Sequence, residues 1–171
     1  MIKKKIEDAF NKQIQAEIYS AHIYLAMSAY FEDKNLSGFA NWMRVQYSEE
    51  IAHAMKFYNH VVERGGRVEL LAIAKPPATW KSPLDAFKAA YSHEVKVTGM
   101  IHNLVDLAKK EKDHASMGML QWFVDEQIEE EDSTDTIVQK LKMVGNSSQG
   151  LLMIDRELSA RKAEPEENGG G

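Results

Sequence analysis

Apolar residues recur along this chain at alternating steps of three and four, the spacing that lines one face of an α-helix. From about Lys4 to Asp33 nothing breaks a helix, and one heptad line reads Phe10, Glu17, Tyr24, Phe31. Asn35 suits a left-handed stop and Ser37 an N-cap. A second helix then runs to about Arg64 on the seam Phe39, Met43, Gln46, Glu50, His53, Phe57, and ends at Gly65 and Gly66. The third spans about Pro83 to Lys112 with Leu84, Phe87, Tyr91, Glu94, Thr98, Ile101, Val105 and Ala108. The fourth starts at an Asp113 N-cap and carries Leu120, Phe123, Gln127, Glu130, Thr134, Ile137, Leu141 and Val144. A fifth, about Gln149 to Arg161, has a short stripe of Leu151, Ile154 and Leu158. That stripe has no place in a four-helix core already complete, which predicts a partner subunit as its cover. Residues 65–82, with Pro76 and Pro77, are too long for an ordinary turn. About 17 extended residues reach ~55 Å, enough to follow a 30-residue helix of ~45 Å from end to end. The pattern therefore predicts an all-α protein, a four-helix bundle with one long crossover and a short fifth helix.

Each long seam is interrupted by a polar group near its middle: Glu17, Glu50 with His53, Glu94, and Gln127 with Glu130. Glu17 lies about 16 residues before the first turn and Glu50 about 14 after it, so at ~1.5 Å per residue they are level. Glu94 lies about 18 residues before the second turn, with Gln127 and Glu130 roughly 14 and 17 after it. The four helices thus deliver their polar groups to one layer of the core. Buried carboxylates cost several kcal/mol each and repel one another. No lysine or arginine interrupts these seams, whereas two divalent ions sharing Glu50 as a bridge would neutralise four glutamates. Carboxylates with one imidazole suit Fe, Mn or Zn.

The acids around this layer admit two readings. Glu126 and Glu129 share a helix face with Glu130, and Glu49 adjoins Glu50. They form either a solvated acidic face or, given their position, a third and weaker metal position. Tyr24 follows Glu17 by two turns, as core packing or as a hydroxyl that orients a ligand or donates an electron. Trp122 reads as packing and His60 as a hydrogen-bonded core histidine, while His22, His93, His102 and His114 lie off the seams, as surface or subunit-contact residues.

Composition narrows the function classes. The chain has no cysteine, which excludes disulfides, thiolate catalysis and Cys-ligated metal sites. A net charge of −5, with only Lys3, Lys4 and Lys5 as a basic run, argues against nucleic acid as a partner. No apolar run is long enough to span a membrane and no secretory signal core is present, so the expected location is cytoplasmic. Residues 1–163 read as one domain, and residues 164–171, which contribute nothing to a core, as a mobile tail.

The residues resemble the non-haem ferritins of bacterial and archaeal type. The resemblance covers roughly residues 5–161 and rests on several motifs. These are Asn11-x-Gln13-Ile14-x-Ala16-Glu17, Gly38-Phe39-x-Asn41-Trp42-Met43, Glu49-Glu50-x-x-His53-Ala54, Arg64-Gly65-Gly66-Arg67-Val68, and Gln121-Trp122-Phe123 leading to Glu126-Gln127-x-Glu129-Glu130-Glu131. It implies a ferritin-like di-iron domain with a ferroxidase centre inside each subunit, and a hollow homo-oligomeric shell, usually of 24 subunits, storing ferric mineral. By the same resemblance one iron takes Glu17, Glu50 and His53. The second takes Glu50 as bridge, Glu94 and Glu130, with Gln127 near the oxidant. A third iron site matches Glu49, Glu126, Glu129 and Glu130, and Tyr24 matches the tyrosine beside the centre.

Departures from related families carry information too. Haem-containing bacterioferritins place a methionine after the bridging glutamate, where Ile51 stands here, so no haem is expected. Rubrerythrin-type peroxidases and bacterioferritins carry a second Glu-x-x-His, but Glu94 is followed by Val97 and Gln127 by Glu130. The second iron therefore lacks imidazole and is expected to be held more loosely. Met117 and Leu120 stand where animal ferritins have acidic pore residues, which leaves the iron entry route open. A purely structural bundle would leave the carboxylate layer unexplained, and DNA-protecting mini-ferritins lack the fifth helix.

Overall fold

The structure is a computed structural model that describes residues 1–163; the tail expected over residues 164–171 lies outside the described residues. Five helices follow in order: α1 (Lys4–Asp33), α2 (Ser37–Glu63), α3 (Pro83–Lys110), α4 (His114–Val144) and α5 (Ser148–Leu158). No strand occurs among the described residues, and no described helix is long and apolar enough to cross a membrane. The all-α bundle with a crossover and a short fifth helix is as expected.

Helices α1 and α2 form one antiparallel hairpin and α3 and α4 the other. At one end His60 Nε2 lies 3.1 Å from Ser116 Oγ and Arg64 donates to Asp113 at 2.9 and 3.2 Å, so α2 finishes where α4 begins. Helix α3 ends there as well, so α2 and α3 are parallel and the chain between them must travel the bundle's length. It does so along α1. Asn11 donates to the Arg67 carbonyl and accepts from the Glu69 amide, both at 3.0 Å, Gln15 donates to the Ala72 carbonyl, and Trp80 packs edge-on against Tyr30.

Local chemistry explains most helix ends. Asn35 takes the left-handed conformation (φ 58°), and Asp113 caps α4 by accepting from the Ser116 amide at 3.1 Å. Ser82 Oγ accepts from Asp85 N at the Pro83 start of α3, and Ser147 Oγ from Gly150 N at α5. Ser37, expected as the N-cap of α2, is instead its first helical residue, and Leu36 at the cap offers no side-chain oxygen. The acceptor comes from afar: Asp155 Oδ1 on α5 takes the amides of Gly38 and Phe39 at 2.8 and 3.0 Å. Helix α5 is shorter than the span to Arg161 expected from its sequence, and α3 stops short of Lys112, which turns left-handed (φ 55°).

The cover expected for α5 from a partner subunit is a second correction. Ile154 and Leu158 are buried within this chain, in a cluster with Phe31, Phe39, Trp42 and Leu141, and Leu151 packs beside them. The four long helices leave one end of the core open, and α5 closes it. On α3 the buried face is turned from the expected seam: Ala90, Val97 and Leu104 are buried, while Tyr91, Thr98 and Val105 are partly exposed. Small alanines allow the close approach to neighbouring helices that the bulkier seam residues would prevent.

The core falls into two apolar clusters. One holds Tyr24, Phe31, Phe39, Trp42 and Phe87, and the other Phe10, Phe57, Ile101 and Phe123, with Phe57 stacked on Phe123 at 4.3 Å. Between them lies the polar layer.

Candidate metal centre

Helix geometry delivers six polar side chains to this layer, and all are buried: Glu17, Glu50, His53, Glu94, Gln127 and Glu130. The four glutamates are no more than 3% exposed. Glu50 and His53 sit one turn apart on α2, and His53 Nδ1 is 3.4 Å from Glu50 Oε2. The other ring nitrogen faces α4, 3.6 Å from Glu126 Oε1. His53 is thus the hinge between two constellations able to hold a cation. Ligand atoms of Glu17, Glu50 and His53 lie within 4.8 Å of one another, as do those of His53, Glu126 and Glu130.

Glu94 stands across the layer and is held by neighbours. The Tyr24 hydroxyl donates to its Oε1, and Gln127 Nε2 donates to its Oε2 at 3.3 Å and its carbonyl at 3.2 Å. The same Gln127 nitrogen is 3.1 Å from Thr98 Oγ1, which donates to Glu131 at 2.5 Å. Glu17 accepts from Gln13 Nε2 at 2.8 Å, and Glu130 Oε2 from Gln46 Nε2 at 2.6 Å. Glu130 Oε1, in contrast, is the buried side-chain oxygen left without a hydrogen bond among the described residues.

Electrostatics express the cost of this arrangement. Burial pushes the Glu94 carboxyl up to about 7, against the hydrogen bonds from Tyr24 and Gln127. Burial together with the charge of Glu94 takes Glu130 to about 8. Glu50 is raised well above the carboxylate range by burial and by Glu94, and Glu17 is raised by burial. Burial works against the His53 cation, but its contacts with Glu126 and Glu50 prevail and hold its pKa well above the imidazole range. Burial and the surrounding carboxylates raise the Tyr24 phenol as well. The layer therefore stores protons that arriving cations can displace.

The outer acids are arranged less tightly. Glu126 is partly exposed beside His53, and Glu129 is exposed. Glu49 is partly buried and engaged by Arg161 at 2.7 Å. Trp122 packs against His53 at 5.4 Å with Lys56 over its ring, which fits its reading as packing. His60 is hydrogen-bonded as expected, and His22, His102 and His114 are exposed. His93, expected as a surface or subunit-contact residue, is partly buried, 2.7 Å from Ser20 Oγ and edge-on to Tyr19, and burial with Lys96 nearby lowers its pKa to about 4.

Gln13, Gln46, Thr98 and Arg161 were not singled out from sequence as part of the site. Three of them carried a signal: Gln13, Gln46 and Thr98 each stand four residues from a layer glutamate, on its helix face. Arg161 carried none.

Comparisons with known proteins identify the family of the fold. Residues 7–144 match the ferritin family profile, a ferritin-like domain. A bacterial non-heme ferritin of Bacteroides fragilis is 41% identical over 161 residues, covering 94% of this chain and all of the relative. Its counterpart in Staphylococcus aureus is 37% identical over 166 residues, 97% of this chain and again all of the relative. Among solved structures, an open pore ferritin from the hyperthermophilic archaeon Archaeoglobus fulgidus superposes with a TM-score of 0.94 at 53% identity, over 95% of this chain and all of that one. The chain belongs to the ferritin family, in its non-haem branch of bacterial and archaeal type.

Proposed function

We propose that this chain is the subunit of a cytoplasmic iron store that oxidises its own cargo. Two Fe(II) ions enter the layer as substrate. One is held by Glu17, Glu50 and His53, and the other by Glu50 as bridge, Glu94 and Glu130. Each Fe(II) gives up one electron. Dioxygen takes the pair with two protons and leaves as hydrogen peroxide, or peroxide takes it with two protons and leaves as two waters. The Fe(III) formed hydrolyses and moves to the cavity of a hollow shell, which we take to have 24 subunits. The protein's part is to fix the spacing of the two ions and leave room for the oxidant.

The observation that supports this reading most is the layer itself: four buried glutamates from four helices, with His53 as the imidazole among them and one oxygen of Glu130 unpartnered. A structural core gains nothing from such a set, whereas divalent cations balance it. Tyr24 and Gln127 hydrogen-bond the two oxygens of the Glu94 carboxylate, which supports a role for Tyr24 in orienting that ligand or donating an electron. The second ion has no imidazole of its own, which favours onward transfer. Glu126 and Glu49, with Glu130 and the more peripheral Glu129, supply a third, outer position.

Adding Fe(II) aerobically to the metal-free protein and separating by size tests the reading. Amber iron co-eluting with a particle of several hundred kDa is expected. Precipitation at the uncatalysed rate beside a small oligomer would sink it. Glu50→Ala removes the bridge, and rapid oxidation should fall by about 10²-fold or more with the helical fold kept. Undiminished fast oxidation in that variant counts against the assignment.

A further inference from the structure

Beyond α5 the chain turns back over the outside of the polar layer. Asn41 on α2 donates its amide to the carbonyls of Leu158 at 3.3 Å and Arg161 at 3.0 Å, which ties this short strap down. The Arg161 guanidinium then lies over the Trp42 ring at 4.3 Å and donates to the Trp42 carbonyl at 3.3 Å. It also donates to Gln46 Oε1 at 2.9 Å and to Glu49 Oε2 at 2.7 Å. Gln46 carries the contact inward, because its nitrogen donates to Glu130 Oε2 at 2.6 Å. One permanently charged fork therefore touches an outer carboxylate directly and a layer carboxylate through a single amide.

We propose that Arg161 is a built-in cation that competes with metal for the outer site, an inference resting on the reading of Glu49, Glu126 and Glu130 as that site. A metal ion at Glu49 must share a carboxylate whose Oε2 the guanidinium already holds, and two cations on one carboxylate repel. The Glu49 and Arg161 side chains are 20% and 22% exposed, so solvent screens this competition less than on an open surface. Holding Gln46 by its oxygen also fixes which way its amide points. Its nitrogen stays on Glu130 Oε2, and Oε1 remains the free oxygen of that residue. Loading and strap position are then linked in both directions: metal at Glu49 loosens Arg161, and a docked Arg161 weakens metal by the same factor. An outer site with its own returning counter-cation holds iron only in passing.

Calorimetric titration of the assembled, metal-free protein with Zn(II), which undergoes no redox step, tests this. The variants are Arg161→Gln, Arg161→Lys and Glu50→Ala, and amide exchange over residues 158–163 is followed with and without metal. Arg161→Gln should tighten the weakest class of Zn(II) sites about fivefold and leave the tighter class alone. Arg161→Lys keeps the charge without the fork and should fall between. In the unaltered protein, saturating Zn(II) should speed exchange along the strap. Unchanged weak-site affinity in Arg161→Gln, weakening of both classes together, or a strap indifferent to Zn(II) each overturns the proposal. Glu50→Ala separates the two levels. If it loses no Zn(II), the reading of the metal layer fails. If it loses the tight class while Arg161→Gln changes nothing, only the role of Arg161 falls.

Discussion

Glu130 keeps a proton at neutral pH in the metal-free chain, because burial and the charge of Glu94 raise its carboxyl from an ordinary 4.5 to about 8. The folded form then binds more protons than the unfolded one between those values. Stability is full below the lower value and is lost as pH rises through the upper. Glu130→Gln fixes the neutral form. The metal-free variant should match the parent near pH ~5 and exceed it near pH ~9 by on the order of 4 kcal/mol, measured by denaturant unfolding. Parallel stabilities across that range would show that Glu130 carries no excess proton. The layer residues were legible in the sequence because a glutamate in mid-seam contradicts its surroundings, and helix rise alone makes Glu17, Glu50, Glu94 and Glu130 level. Arg161 was not, since no periodicity reports a contact made 112 positions away with Glu49.

Helix α5 docks where α2 begins, and the contact depends on a missing side chain. A Cβ on Gly38 would lie 1.6 Å from the Asp155 carbonyl oxygen, an overlap that the α5 backbone must move to relieve. Gly38→Ala should cost about 3 kcal/mol, with amide exchange rising in α5 and at the start of α2 while the far end of the bundle stays protected. Asp155→Ala leaves the docking surface but removes the acceptor for the Gly38 and Phe39 amides, and should cost about 1 kcal/mol. Equal exchange rates in α5 for Gly38→Ala and the parent would refute the dependence. The spans of the helices were readable because breakers and caps stand between them: Asn35, Gly65, the prolines of the crossover and Asp113. The partner of α5 was not. A stripe of Leu151, Ile154 and Leu158 says that a face is apolar and nothing about what lies opposite, so a core that looked complete concealed an open end. The same limit explains α3, where Ala86 and Ala90 set the packing face although bulkier residues mark the neighbouring one.

The whole bundle is two apolar cores joined through a layer that repels itself. In the metal-free chain that layer joins the clusters through hydrogen-bonded carboxyls, where burial raises Glu94 and Glu130 towards their neutral forms, instead of through apolar packing. On the function proposed above, divalent cations bridged by Glu50 would offset that repulsion and tie α1, α2, α3 and α4 together across the layer. A ligand that binds only the folded state, at about a hundredfold its Kd, adds ~2.7 kcal/mol per site. For a chain of this length that raises Tm by roughly 5–10 °C. Thermal unfolding with Zn(II) should show such a rise. It should grow from mildly acidic to mildly alkaline pH, as the carboxyls of Glu94 and Glu130 give up their protons more easily. Glu50→Ala should remove most of it, measured against that variant's own metal-free Tm. An equal metal-induced rise in both proteins would place the stabilising ion elsewhere on the molecule and detach the layer from metal altogether.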